Sequence, residues 1–240
     1  MIRTFLLLRW FLLAFILSCQ QLSNVSQANE SAIDQQVIFK ATAFRVGDYL
    51  IQGDRGRLFV KENRLNADSR LIEIAFIRFR NPKSGGHPPI VYLPGGPGQT
   101  VLTAAEDFAS TYKNYLNLGG QGDMLVVEQR GIGSSRPRLD CPGLLSRPTD
   151  IPLSSDIMGS THNHYIRQCI DHWLRQGTDL AGYNVLSMAD DIDELRASLG
   201  YGRIKLIGES FGAHHALAVI QRYGDRVERA ALSAVIGPDD

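Results

Sequence analysis

Short apolar runs separated by glycine- and proline-rich stretches dominate the middle of the chain. Ile90-Val91-Tyr92-Leu93 stands between the breaker cluster 81–89 and Pro94-Gly95-Gly96-Pro97-Gly98, and Met124-Leu125-Val126-Val127-Glu128 ends at Gln129-Arg130-Gly131-Ile132-Gly133. Runs this short and this apolar predict strands buried on both faces, as in a parallel sheet. Leu71 to Phe79 is a longer β-rich run with Ile72, Ile74 and Phe76 on one face, and Arg57 to Val60 reads as a short strand after a turn at Gly53-Asp54-Arg55-Gly56. Asp190 to Leu199 reads as a helix: Met188, Ile192, Leu195 and Leu199 share a face, Ser187 is the expected N-cap, and Gly200 stands where a helix stops. Asp190 and Asp191 are then read as acids favouring a helix N-terminus. Arg203 to Ile207 reads as a strand, Ala213 to Tyr223 as a helix, and Ala230 to Ile236 as a further strand. The stretch 136–182 reads as irregular. Strands with glycine-rich exits, alternating with helices, predict an α/β domain whose site lies at the carboxyl ends of the strands.

Composition narrows the classes. The chain has 240 residues, is 44% hydrophobic, and balances 25 Lys+Arg against 25 Asp+Glu, which is ordinary globular material without the electrostatic footprint of a nucleic-acid binder. The expected partner is a small molecule or a peptide, with no nucleic acid. The first residues form a separate case, because Arg3 and Arg9 accompany an apolar run from Phe5 to Leu17 that ends at Ser18-Cys19. This has the outline of an export signal. Ile16-Leu17-Ser18-Cys19 resembles a bacterial lipobox and makes Cys19 the candidate for lipidation; cleavage after Ser26-Gln27-Ala28 and an uncleaved anchor are the alternatives. The domains expected are a signal or lipoprotein-type segment over 1–19, a polar tether over 20–40 and the N-terminal part of an α/β domain over 41–240. Membrane association is expected through the N-terminal segment alone, with the chain exported and either anchored or released. Apart from Cys19, the chain has Cys141 and Cys169, which could pair in an oxidising compartment.

The most informative stretch is Gly208-Glu209-Ser210-Phe211-Gly212, lying between an expected strand and an expected helix. That context is what a nucleophile elbow requires, and it makes Ser210 the candidate nucleophile. A bare G-x-S-x-G pentapeptide is otherwise an ordinary turn. Acyl transfer also needs donors for the oxyanion, a base and a group to orient the base. The backbone N–H of Phe211 is one candidate donor, and the glycine-rich loop after Leu93 offers the other, with Gly96 the first choice and Gly95 the second.

Gly95-Gly96-Pro97-Gly98, the run from Glu128 to Ser135 and Gly208-Glu209-Ser210-Phe211-Gly212 together resemble the three signature motifs of the prolyl iminopeptidase and tripeptidyl aminopeptidase family of α/β-hydrolases, in order and spacing. The resemblance extends over about 57–238 and includes Leu139 to Gly143 and Tyr183 to Tyr201. It implies an α/β-hydrolase fold, a mostly parallel sheet with flanking helices, and amide hydrolysis through an acyl-enzyme on Ser210 without metal or organic cofactor. A carboxylesterase of the same fold, or an inert fragment or binding protein, are the rival readings. Pro94 departs from the histidine that many relatives carry, and Glu128 from the usual aspartate. The resemblance makes Glu128 and Arg130 structural. It also places the acid, the histidine, a helical cap and the last strands beyond Asp240, so the chain is expected to be truncated before them. His214 and His215 follow Ser210 too closely to serve as its base, and His162, His164 and His172 precede it, the wrong order for this fold. Neither these histidines nor Cys169 show a standard metal-ligand spacing.

Overall fold

The structure, a computed structural model, describes residues 36–141 and 155–237, without the side chains of 155–162. The chain divides into compact units Met1–Gln36 and Val37–Asp240, and the described residues fall in the second apart from Gln36. The expectations at Cys19 and Ala28 lie outside the described residues, as does the side chain of His162.

The second unit is built on a seven-stranded sheet in the order β1-β2-β3-β5-β4-β6-β7. The strands are β1 Val37–Val46, β2 Tyr49–Lys61, β3 Leu71–Phe79, β4 Ile90–Leu93, β5 Met124–Val127, β6 Ile204–Glu209 and β7 Val227–Ser233. β1, β2, β3 and β5 pair antiparallel in succession, while β5, β4, β6 and β7 pair parallel. Helix α1 (Ala105–Asn117) connects β4 to β5; α2 (Ser155–Arg175) and α3 (Val185–Ser198) precede β6, and α4 (Phe211–Tyr223) follows it.

Burial explains why these runs became strands. On one sheet face Leu58, Ile74, Phe76, Val91 and Leu125 pack with Ile192 and Leu195 of α3 and Val219 of α4. On the other, Phe44, Ile77, Phe79 and Val126 pack with Ala109 and Tyr112 of α1. All four residues of β5 are buried, so its uninterrupted apolar run follows from burial on both sides. After β5 the chain crosses to the other side of β4 to form β6. The carboxyl end of β4 is therefore the point where the strand order reverses, the place where open α/β sheets bind ligands.

Several sequence expectations are corrected. β2 runs straight through Gly53 to Gly56, which is no turn: a Cβ at Gly53 would strike the Arg78 carbonyl, and one at Gly56 would enter the Phe76 ring. These glycines permit close packing within a strand. The cap of α3 is Asn184, whose side chain accepts the Ser187 N–H at 2.9 Å, so Ser187, Asp190 and Asp191 all lie inside the helix. The stretch 136–182 contains α2, whose Ile166, Cys169, Ile170, Trp173 and Leu174 carry helical spacing amid polar neighbours. β7 begins at Val227 and ends at Ser233, with Ala234 at φ 46° beyond it. β1 opens at Val37, within the stretch assigned to a tether.

Candidate active site

β6 ends at Glu209 and α4 begins at Phe211, which leaves Ser210 alone at the turn with φ 54° and ψ −123°. A positive φ on a residue with a Cβ costs about 1–3 kcal/mol and persists only where the surroundings impose it. Here they do. The Ser210 N–H donates to Ser233 O at 3.0 Å, tying the turn to β7, and its carbonyl accepts the Ala213 N–H at 2.9 Å, opening the helix. A Cβ at Gly208 would collide with the Gly212 carbonyl, and one at Gly212 with the carbonyl of Leu93. Both flanking glycines are therefore demanded by backbone packed against backbone.

The loop after β4 lies against this turn. A Cβ placed on Gly95 would stand 3.6 Å from that of Ser210, whereas one on Gly96 would meet Gly98 and Gln99. Gly95, the second choice for an oxyanion donor, is thus the glycine alongside Ser210. The first N–H groups of α4, Phe211 among them, begin a helix and have no intrahelical acceptor.

Residues leaving β5 hold this loop from behind. Gln129 Oε1 accepts the Gly98 N–H at 3.0 Å, and its Nε2 lies 3.4 Å from both Pro94 O and Gly95 O. Glu128 accepts from Thr100 Oγ1 at 2.7 Å and from the Leu102 N–H at 3.2 Å, capping the short turn that leads into α1. Arg130 faces away, pairing with Asp191 and donating to Glu62 O at 2.7 Å. Glu128 and Arg130 both serve as braces. Asp190 likewise accepts from Arg222 at 2.7 Å and from Tyr223 at 2.6 Å, joining α3 to α4. Sequence reasoning gave Gln129 no role; its only signal was membership of the Gln129-Arg130-Gly131 motif.

The histidines fall elsewhere. The His214 ring stacks on Phe211 with centroids 5.8 Å apart, and His215 is buried under α4 at 3% exposure. Burial holds the His215 imidazole down at about 4, against the weaker upward pull of the Met188 backbone and Asp191. His164 and His172 lie on α2. The His214 backbone N–H approaches the Ser210 carbonyl at 3.4 Å as part of the first helical turn. Among the described residues no group of His, Cys, Asp and Glu side chains could hold a metal ion. Glu209 is exposed beside the turn and, with burial as the larger cause, raises the Tyr92 hydroxyl above its ordinary value. Farther off, a disulfide joins Cys141 to Cys169 with Cα atoms 5.0 Å apart.

The model of the α/β hydrolase fold family matches residues 88–240, and the chain belongs to that family. It is 26% identical over 194 residues to a protein named serine protease Hip1 from Mycobacterium tuberculosis, covering 77% of this chain and 36% of that one. It is 24% identical over 156 residues to a tripeptidyl aminopeptidase from Streptomyces coelicolor, covering 62% of this chain and 28% of the relative. The chain therefore spans about a third of the length of these curated relatives. Among solved structures it is similar to a proline iminopeptidase-related protein from Thermus thermophilus, with TM-score 0.42 and 19% identity over 81% of this chain and 44% of that one.

Proposed function

We propose that the chain contributes the nucleophile and oxyanion hole of a serine hydrolase that cleaves peptides near their N-terminus. The observation that carries this reading is Ser210 held at positive φ between β6 and α4, with Gly95 packed against it. In the proposed reaction Ser210 Oγ attacks the scissile carbonyl while a base takes its proton. The carbonyl oxygen, now an oxyanion, is held by the N–H groups of Phe211 and of Gly95 or Gly96. The amine then leaves with a proton returned by the base, and water hydrolyses the ester on Ser210. The relatives' names, serine protease and tripeptidyl aminopeptidase, favour an amide over an ester substrate. The base and its orienting acid are assigned to residues outside those described.

The test is labelling by a fluorophosphonate probe, followed by turnover of aminoacyl and short acyl chromogenic substrates, for the parent and Ser210→Ala. Labelling lost in Ser210→Ala, with aminoacyl turnover exceeding acyl turnover, supports a peptidase. The reverse preference supports a carboxylesterase. Labelling that persists in Ser210→Ala overturns the assignment of the nucleophile. The stacking of His214 on Phe211 and the burial of His215 under α4 favour a second reading in which this chain alone is inert, and an unlabelled parent supports it.

The chain is further proposed to be exported and held at a membrane through a lipid on Cys19. None of the described helices is long and apolar enough to cross a membrane. Cys19→Ser is expected to shift the protein from the membrane to the soluble fraction or to block its processing. Unchanged mass and fractionation would remove lipidation from the proposal.

A further inference from the structure

The loop 94–98 that faces Ser210 has no regular structure of its own: Gly96 and Gly98 take φ 101° and 96°, and residues from Gly96 onward are exposed. Such a loop keeps one conformation only if something outside it supplies the constraint. Pro94 and Gly95 are buried, so their carbonyls need donors that water does not readily provide. Both needs converge on Gln129, whose side chain comes from the end of β5 and is 3% exposed.

We propose that Gln129 is the positioning residue of the oxyanion loop, its carboxamide fixing Pro94, Gly95 and Gly98 relative to Ser210. The orientation of the amide is dictated by its partners. The Gly98 N–H can only donate, so the atom facing it at 3.0 Å is the oxygen; Pro94 and Gly95 present only carbonyl oxygens, so the atom facing them is the nitrogen. A group that accepts on one side and donates on the other is required, and among side chains of this length an amide supplies it at every pH. Glu128 holds the next part of the same loop at Thr100 and Leu102, where all its partners are donors and a carboxylate suffices. The consecutive residues therefore differ in chemistry as their partners do: Gln129 meets a donor and two acceptors, Glu128 only donors. The bracing itself is independent of catalysis; its consequence for the reaction rests on the reading of Ser210 as nucleophile.

A distinctive test follows from Gln129→Glu. As a carboxylate, Glu would set an oxygen against the Pro94 and Gly95 carbonyls; protonated, it restores the native pattern, accepting from Gly98 and donating to a carbonyl. Deuterium uptake of the peptide covering 94–101 is measured for the parent, Gln129→Glu and Gln129→Met, and taken as the variant-to-parent ratio at each pH, which cancels intrinsic exchange. At pH 8 both variants are expected to raise the ratio about fivefold, the equivalent of one lost hydrogen bond. At pH 5 Gln129→Glu is expected to return towards one while Gln129→Met stays high. Peptides from β6 and α3 are expected to be unchanged throughout. Uptake equal to the parent at pH 8, a Glu effect that ignores pH, or a rise spread evenly over the chain would each overturn the proposal. In parallel, the relative rate of fluorophosphonate labelling at Ser210 should fall roughly 10- to 100-fold in Gln129→Glu at pH 8 and recover at pH 5. If the parent is not labelled at all, this chain alone is inert, as in the second reading above, and the exchange ratios still decide the role of Gln129.

Discussion

Arg130 and Asp191 meet side by side in the interior, Nε to Oδ2 at 2.8 Å and Nη2 to Oδ1 at 2.6 Å, with the arginine side chain fully buried. Arg64 reaches the same carboxylate at 2.6 Å, and Arg130 also donates to the Glu62 and Gly182 carbonyls. One carboxylate thus joins the loop after β2, the exit of β5 and helix α3. Removing one member of a buried pair leaves the other charged and unpaired. Asp191→Ala is therefore expected to lower unfolding free energy by about 3–5 kcal/mol. The more exposed pair Arg57–Glu73, at 2.9 Å with Arg57 half exposed, should contribute no more than about 1 kcal/mol. Urea titration of Asp191→Ala beside Glu73→Ala separates the two; equal losses would refute the ranking.

The contrast between that pair and Ser210 shows what the sequence disclosed. Motifs whose function is local could be read: the elbow needs a strand, two glycines and a helix in immediate succession, and the apolar runs of β4 and β5 needed only burial on both faces. Asp191 was misassigned to a helix terminus because its partners, Arg64 and Arg130, are distant in the chain and nothing in its neighbourhood marks them. Gly53 and Gly56 were misread for the same reason. Their neighbours across the sheet, Arg78 and Phe76, decide that they are strand residues, and a local reading sees only glycines near an aspartate. Helix α2 was hidden by polar composition, although its apolar residues recur with helical spacing. The choice between Gly95 and Gly96 depends on how the loop lies against Ser210, a tertiary matter.

The elbow glycines yield a prediction that separates space from propensity. Gly212→Ala would drive a methyl group into the Leu93 carbonyl at the end of β4, whereas a methyl group at Gly202 meets open space. Backbone atoms on a central strand cannot give way cheaply. Gly212→Ala is expected to reduce soluble yield severely or to cost about 3 kcal/mol or more, while Gly202→Ala should remain within about 1 kcal/mol of the parent. Thermal melting of both proteins is the measurement, and a Gly212→Ala protein that melts with the parent would show that β4 and α4 are less tightly apposed.

The Cys141–Cys169 bridge closes a loop of sequence separation 28 and ties α2 to the segment that follows the β5 exit. Trp173 Nε1 donates to Asp140 O at 3.0 Å beside it. Loop closure of this size adds about 3 kcal/mol by restricting the unfolded chain. Cys141→Ser with Cys169→Ser is expected to lose about that amount under non-reducing conditions and to respond no further to reductant. Mass spectrometry of the alkylated, unreduced parent should show both cysteines unmodified; alkylation at both would remove the bridge.

His215 gives the fold a specific sensitivity to acid. Its ring lies between α4 and α3, near Met188 and Asp191, and among the described residues neither nitrogen makes a hydrogen bond of good geometry, the Met188 backbone being only a weak neighbour. Burial lowers its pKa to about 4 from an ordinary 6.5; Asp191 and the Met188 backbone oppose the shift, and His214 adds to it. The folded state therefore takes up this proton less readily than the unfolded state. Its contribution is present in full above the unfolded value and is lost progressively as the pH falls from about 6.5 to about 4, by about 3 kcal/mol in total. Carboxylates such as Asp193, which burial pushes up but hydrogen bonds from Arg196 and Arg226 bring below the ordinary value, lose their own contributions mainly below that window. The comparison that isolates the histidine is the change in unfolding free energy between pH 7 and pH 4.5 for the parent and for His215→Leu, which retains an apolar side chain under α4. The parent should lose more than the variant, by about 2–3 kcal/mol. Identical losses would mean that His215 is hydrated or protonated in the fold, and the acid sensitivity would then belong to the carboxylates alone.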